Sequence, residues 1–190
     1  LHVHTHTPTD LARPAAAPPA PVLGPVLLVV LPNSGPASGG NTVTLVGLGL
    51  AGTTTVLMGG TPATIIGQDP LGLTVSVLAP AHAAGAVQVT ATNAVGTTNP
   101  VTYVYLPPAP VVTVPVTPTS ATAGSTFSLS GTDLSGATVL FGGTPATGVT
   151  VNGTGTSLTG TVPPGTVGST VTVTVQTLGG TANAGTFTYL

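Results

Sequence analysis

The side chains in this chain that could do chemistry are few enough to take one at a time. Asp10, Arg13, Asp69 and Asp133 are the ionised ones in 190 residues; four histidines, His2, His4, His6 and His82, join them, and cysteine is absent. Hydrolysis by paired carboxylates needs two acids in one cleft, yet Asp69 and Asp133 lie in different halves of the chain. A serine triad needs a histidine beside Ser and Asp; His82 is the one histidine outside the N-terminal cluster, and no G-x-S-x-G elbow occurs. The chain therefore reads as a non-enzyme that needs no cofactor. "LHVHTHT" is the one constellation with ligand spacing, because an extended chain would turn His2, His4 and His6 to one face, where imidazoles bind zinc, copper or nickel. The plainer alternative is a polar terminus ahead of a Pro/Ala segment, and His82 reads as a lone turn histidine.

A Gly-rich block occurs twice, as "MGGTPAT" at Met58 to Thr64 and "FGGTPAT" at Phe141 to Thr147. Phosphate cradles of this kind follow a strand, open a helix and supply a Lys or Asp, none of which is here. The block is expected to be a turn, with Gly59-Gly60 and Gly142-Gly143 at positive φ and Pro62 and Pro145 stiffening the exit.

Its second occurrence belongs to a duplication. Gly59 and Gly142 are 83 residues apart, and Gly47 and Gly131, like Tyr105 and Tyr189, are 84 apart. Near-constant offsets across a whole domain mark one unit written twice, with insertions confined to loops. Within each copy, short Val/Thr runs are punctuated by Gly, Pro and Asn, the pattern of half-buried antiparallel strands. "NTVTLVG" puts Val43 and Leu45 inward with Thr42 and Thr44 outward, and "STVTVTVQT" puts Val171, Val173 and Val175 inward against Thr170, Thr172 and Thr174. Asn152-Gly153 is expected to form a two-residue hairpin turn.

These residues resemble the IPT/TIG domain family of immunoglobulin-like sandwiches. The resemblance rests on the opening "PNSGPASGGNTVTLVG" from Pro32, the central "V-x-(M/F)-G-G-T-P-A-T", the "VPPGTVG" from Val162 and the closing "FTY". Copy two departs from it with "TSATAGS" in place of Gly-Gly, and copy one with "APAHAAG" in place of "VPPGTVG"; both changes fall in turns. The resemblance implies an all-β fold of two tandem immunoglobulin-like β-sandwiches with an extended N-terminal arm. The expected division is an arm over 1–24, domain 1 over 25–106, a linker over 107–113 and domain 2 over 114–190. The family implies a module strung in tandem on secreted enzymes, adhesins, viral tail proteins and fibres; its DNA-reading members use basic loops, which are missing here.

Composition narrows the function further. Nucleic-acid binding needs several Lys or Arg to displace counterions from phosphates, and one Arg is present, so DNA and RNA are excluded as partners. The apolar run from Pro21 to Pro32 is too short and too Pro-interrupted for a membrane-spanning helix. No basic start precedes an apolar stretch, so a secreted chain is expected in its mature form. Absence of Lys rules out Lys-based cross-linking of subunits. A net charge of −2 gives little repulsion between copies.

The expectation is therefore a secreted or cell-surface structural subunit that self-assembles non-covalently into a filament. The arm would dock on a neighbouring copy, adding a strand to an open edge or lying in a groove, through Val22, Leu23, Val26, Leu27 and Leu28. Against this stand a flexible linker as the arm's role, and an adhesin, a carbohydrate-binding module or a viral tail or capsid decoration protein as the function. A glycan partner would need exposed aromatics, and the three Phe and three Tyr fall mostly at core positions.

Overall fold

The computed structural model describes residues 13–19 and 23–190. Among them there is no helix; alternation of apolar and Ser/Thr side chains produces strands throughout.

Domain 1 is a sandwich of two sheets. Its four-stranded sheet orders β1 (Val26–Leu31), β3 (Thr42–Leu48), β7 (Thr74–Leu78) and β6 (Thr64–Gln68). Its five-stranded sheet orders β2 (Ser34–Pro36), β9 (Val101–Leu106), β8 (Gly85–Thr92), β4 (Thr55–Met58) and β5 (Thr61–Pro62). Neighbours are antiparallel except β2, which runs parallel to β9. Domain 2 repeats this with β10 (Val111–Thr117), β12 (Thr126–Thr132), β16 (Ser157–Thr161) and β15 (Thr147–Val151) in one sheet. The other holds β11 (Ser120–Ala121), β18 (Gly180–Tyr189), β17 (Thr170–Thr177), β13 (Thr138–Phe141) and β14 (Thr144–Pro145). In both domains the chain changes sheet after its first strand at a cis X-Pro bond, Leu31-Pro32 and Thr117-Pro118.

Each domain has its own core. Val43, Leu45, Val75, Val77, Val56, Met58, Tyr103 and Tyr105 close the first, and Phe127, Leu129, Val139, Phe141, Val173, Val175, Phe187 and Tyr189 the second. The inward and outward assignments for Val43 and Leu45 hold, as do those for Val173 and Val175, while Val171 is half-buried at the core's edge. Tyr105 Oη donates to the Pro80 carbonyl at 2.8 Å, and its counterpart Tyr189 donates to Pro163 at 3.0 Å. The repeated closing tyrosine thus pins the loop before the penultimate strand in both copies.

The duplicated Gly-rich block is the β4–β5 turn and its β13–β14 equivalent. Met58 pairs with Thr61 and Phe141 with Thr144, leaving two glycines between, with φ of 60° and 80° in the first copy and 58° and 87° in the second. Successive positive φ values are what a two-residue hairpin demands. The Asn152-Gly153 expectation does not hold: a loop from Asn152 to Thr156 joins β15 to β16, and its positive φ falls at Gly155. Asn152 instead caps that loop, its Oδ1 accepting from the amides of Thr156 (2.8 Å) and Ser157 (3.1 Å). Asp69 has the same task in copy one, accepting from Leu71 and Leu73.

The boundary between the domains also moves. β10 begins at Val111, inside the stretch read as linker, because pairing with Thr132 and Gly131 holds Val111 and Val112 in the sheet. The connection shrinks to Pro107 through Pro110.

Candidate interaction surface

The chemistry-bearing residues are not brought together. Asp69 caps a turn of domain 1, while Asp133 sits in the bend after β12 of domain 2. His82 lies in the loop between β7 and β8, where its ring stacks on Tyr105 at a centroid distance of 5.1 Å and Nδ1 lies 2.8 Å from the Ala83 carbonyl. It is a packing residue: Gly59 of the β4–β5 turn comes so close that a Cβ there would be 2.6 Å from His82 Nε2. His2, His4 and His6 lie outside the described residues, and so does Val22. Among the described residues no three His, Asp or Glu side chains could share a metal ion.

All six aromatic side chains of the two cores, Tyr103, Tyr105, Phe127, Phe141, Phe187 and Tyr189, are buried. They pack edge to face, Phe127 on Phe141, Phe141 on Phe187 and Phe187 on Tyr189 in domain 2, and Tyr103 on Tyr105 in domain 1. Burial also pushes the phenol of Tyr105 above its ordinary range, with help from Tyr103, and burial does the same for Tyr189.

A cleft of about 490 Å³ opens where the linker meets domain 2, lined by Pro107, Pro108, Asp133, Ser135, Thr177 and Leu178 among others. Asp133 is the one non-glycine described residue with positive φ, at 57°, in the place that Gly49 fills in copy one. The linker packs against the turn between β17 and β18: a Cβ on Gly179 would run into the carbonyl oxygen of Pro108 and approach its carbon to 2.6 Å. The corresponding residue of copy one is Val95, whose side chain is exposed with no linker seated on it. This close approach is therefore a property of the joint and not of the fold.

Of the residues read as assembly candidates, Leu23, Val26 and Leu28 are exposed, at 85%, 41% and 60%. Leu27 is not among them: it points into the core of domain 1. The physical reason is a bulge between Leu27 and Val29, which leaves Leu28 and Val29 both outward before Val30 turns in. Around these, Leu31, Leu48 and Leu78 are also exposed, as are Leu71 and Leu73 in and beside the Asp69-capped turn, and sequence reasoning passed over all five. The signal that could have found them is a register comparison of the two copies.

Two sandwiches of one topology in series define an immunoglobulin-like tandem module. The chain belongs to the IPT/TIG domain family, whose model matches residues 25–105 and again 110–189. No curated protein matches it. Among solved structures, the surface glycan-binding protein PbSGBP-B from Prevotella bryantii aligns at 20% identity with a TM-score of 0.48, over 86% of this chain and 42% of that one. SGBP-B from a complex xyloglucan utilization locus in Bacteroides uniformis aligns at 19% and 0.40, over 87% and 49%. The Yersinia pseudotuberculosis adhesin InvE aligns at 16% and 0.38, over 87% and 58%. The chain spans less than half the length of either glycan-binding protein.

Proposed function

We propose that the chain is a non-catalytic connecting module of a secreted or cell-surface protein, two sandwiches in series that hold their neighbours at a set distance. The observation that carries this is the joint. A linker of Pro107, Pro108, Ala109 and Pro110 has few backbone freedoms, and it is seated on the Leu178-Gly179-Gly180 turn instead of running free. Capture of a sugar by these two domains is the weaker reading, because stacking on a sugar ring needs an exposed aromatic face and the six aromatics are in the cores. In an adhesive or glycan-binding protein, this pair would position the binding part without supplying it.

Small-angle scattering tests the joint. The wild-type chain is expected to give a two-lobed distance distribution narrower than that of a variant whose linker is replaced by Gly and Ser at equal length. Indistinguishable profiles would overturn the connecting role.

A further inference from the structure

We infer that the outer face of domain 1 along β1 and β3 is a homotypic interface at which two copies of this chain pair about a two-fold axis. The duplication supplies an internal reference. In register, Val26 faces Leu48, Val29 faces Val46 and Leu31 faces Thr44 on domain 1, where domain 2 has Val111 with Thr132, Val114 with Ser130 and Thr117 with Ser128. Leu78 pairs with Thr42, where Thr161 pairs with Thr126. Leu28 lies in the bulge where domain 2 has Thr113. Domain 2 keeps valine at the places of Val26 and Val29, as Val111 and Val114, but carries Thr where domain 1 has Leu28, Leu31, Leu48 and Leu78. Domain 2 demonstrates that the fold does not need the leucines.

Exposure makes the contrast functional. Val26, Leu28, Val29, Leu31, Leu48 and Leu78 are 36% to 60% exposed. Together they present on the order of 500 Å² of apolar side chain, in the upper part of the roughly 300–600 Å² range in which a monomer's largest patch is often functional. Two such faces meeting remove about 1,000 Å² from water, the threshold for a specific pair and the size of a transient one. Such a size suits a micromolar association better than a permanent one.

A second copy fits this face better than a strand from another segment. Strand addition needs a free edge, and β1 offers a poor one: Asn99 Oδ1 accepts from the Leu27 amide and Asn99 Nδ2 donates to the Leu27 carbonyl, both at 2.9 Å. The bulge and the flanking Pro25 and Pro32 close the edge further. The described part of the arm, Arg13 to Pro19, is exposed along its length and does not cover the face. The face carries no charged side chain and the whole chain a net charge of −2, so like-charge repulsion does not oppose contact between copies. Pairing through one patch about a two-fold axis closes on itself, which gives dimers and not the filament expected from the sequence.

Sedimentation velocity of the full chain from about 1 to 500 µM is the test, and it is independent of the scattering test of the joint. The wild type is expected to pass from monomer to dimer in the micromolar range. A Leu28→Thr, Leu31→Thr, Leu48→Thr variant, carrying the residues domain 2 has at those places, is expected to weaken pairing at least tenfold. Val167→Thr and Leu190→Thr, exposed apolar positions of domain 2 away from the joint, are expected to change nothing. Near-ultraviolet circular dichroism from Tyr103 and Tyr105 reports whether domain 1 stays packed. Should the triple variant unfold, the single exposed change Leu48→Lys reads the same effect by placing like charges in the contact. A wild type that stays monomeric throughout, or variants that pair as the wild type does, overturns the interface.

Discussion

Adding one methyl group at Gly47 would test how β1 is held to domain 1. A Cβ built there falls inside the van der Waals shell of the Val26 carbonyl oxygen, 3.1 Å from its carbon and 3.2 Å from Leu27 Cα. The obstacle is backbone of the neighbouring strand, so no rotamer change relieves it, and β1 must retreat by about an ångström against a close-packed interior. That retreat withdraws Leu27 and Val30, both buried, at about 1.5–3 kcal/mol each for full exposure. Partial withdrawal sets the cost of Gly47→Ala at about 3–5 kcal/mol, a large part of the roughly 5–15 kcal/mol that holds a domain folded. Calorimetry of the full chain is the assay, because the duplication provides a matched control. Gly131→Ala meets the same obstacle in domain 2, with the Val111 carbonyl carbon at 2.8 Å and Val112 Cα at 3.0 Å. Each variant should lower the transition of its own domain by roughly 15 °C or more, at several degrees per kcal/mol for a unit of this size, and leave the other in place. A loss below about 1 kcal/mol in either would refute the account of how the first strand is held.

Two further outcomes follow from the same packing. Unfolded tyrosines ionise near 10, whereas burial holds the Tyr105 and Tyr189 phenols protonated to higher pH. Above about pH 10 the unfolded chain therefore binds fewer protons than the folded one, and stability, complete below that value, falls as pH rises. Phenolate absorbance near 295 nm should accordingly rise together with loss of sheet signal, and Tyr105→Phe with Tyr189→Phe should blunt the coupling. Asn152→Ala should cost about 1–2 kcal/mol in urea unfolding of domain 2, since it leaves the Thr156 and Ser157 amides without their acceptor; Asn152→Asp, which keeps an acceptor as Asp69 does in copy one, should recover most of it.

Much of the fold was legible in the residues. "NTVTLVG" carries its alternation openly, and the twin glycines before Thr61 and Thr144 have few other uses than a tight turn. The misreadings have physical causes. Asn152-Gly153 has the composition of a two-residue turn, but Asn152 captures two amides further along and stretches the loop to Thr156. Val111 and Val112 sit among prolines that suggest a linker, while their strand character comes from pairing with a segment twenty residues away. Leu27 resembled its exposed neighbours because a bulge, invisible in sequence, resets the alternation between Leu27 and Val29. The apolar face was hidden for a related reason. Pro115 adds a residue to β10, and register shifts in both first strands slide the copies past one another. The Gly47–Gly131 offset sets Leu48 against Thr132, but only paired strands show that Leu28 stands where Thr113 does and Leu31 where Thr117 does.

The proposed connecting role requires a joint that holds the two sandwiches in one arrangement, and the chain is well suited to measuring it. It contains no cysteine, so Thr55→Cys and Thr138→Cys, exposed and at equivalent starts of β4 and β13, would be its only labelling sites. Pulsed dipolar spectroscopy between nitroxides at these two sites, in spin-diluted samples at concentrations that keep the chain monomeric, should give one narrow distance distribution that Gly179→Val broadens. A broad distribution in the wild type, unchanged by Gly179→Val, would contradict the connecting role.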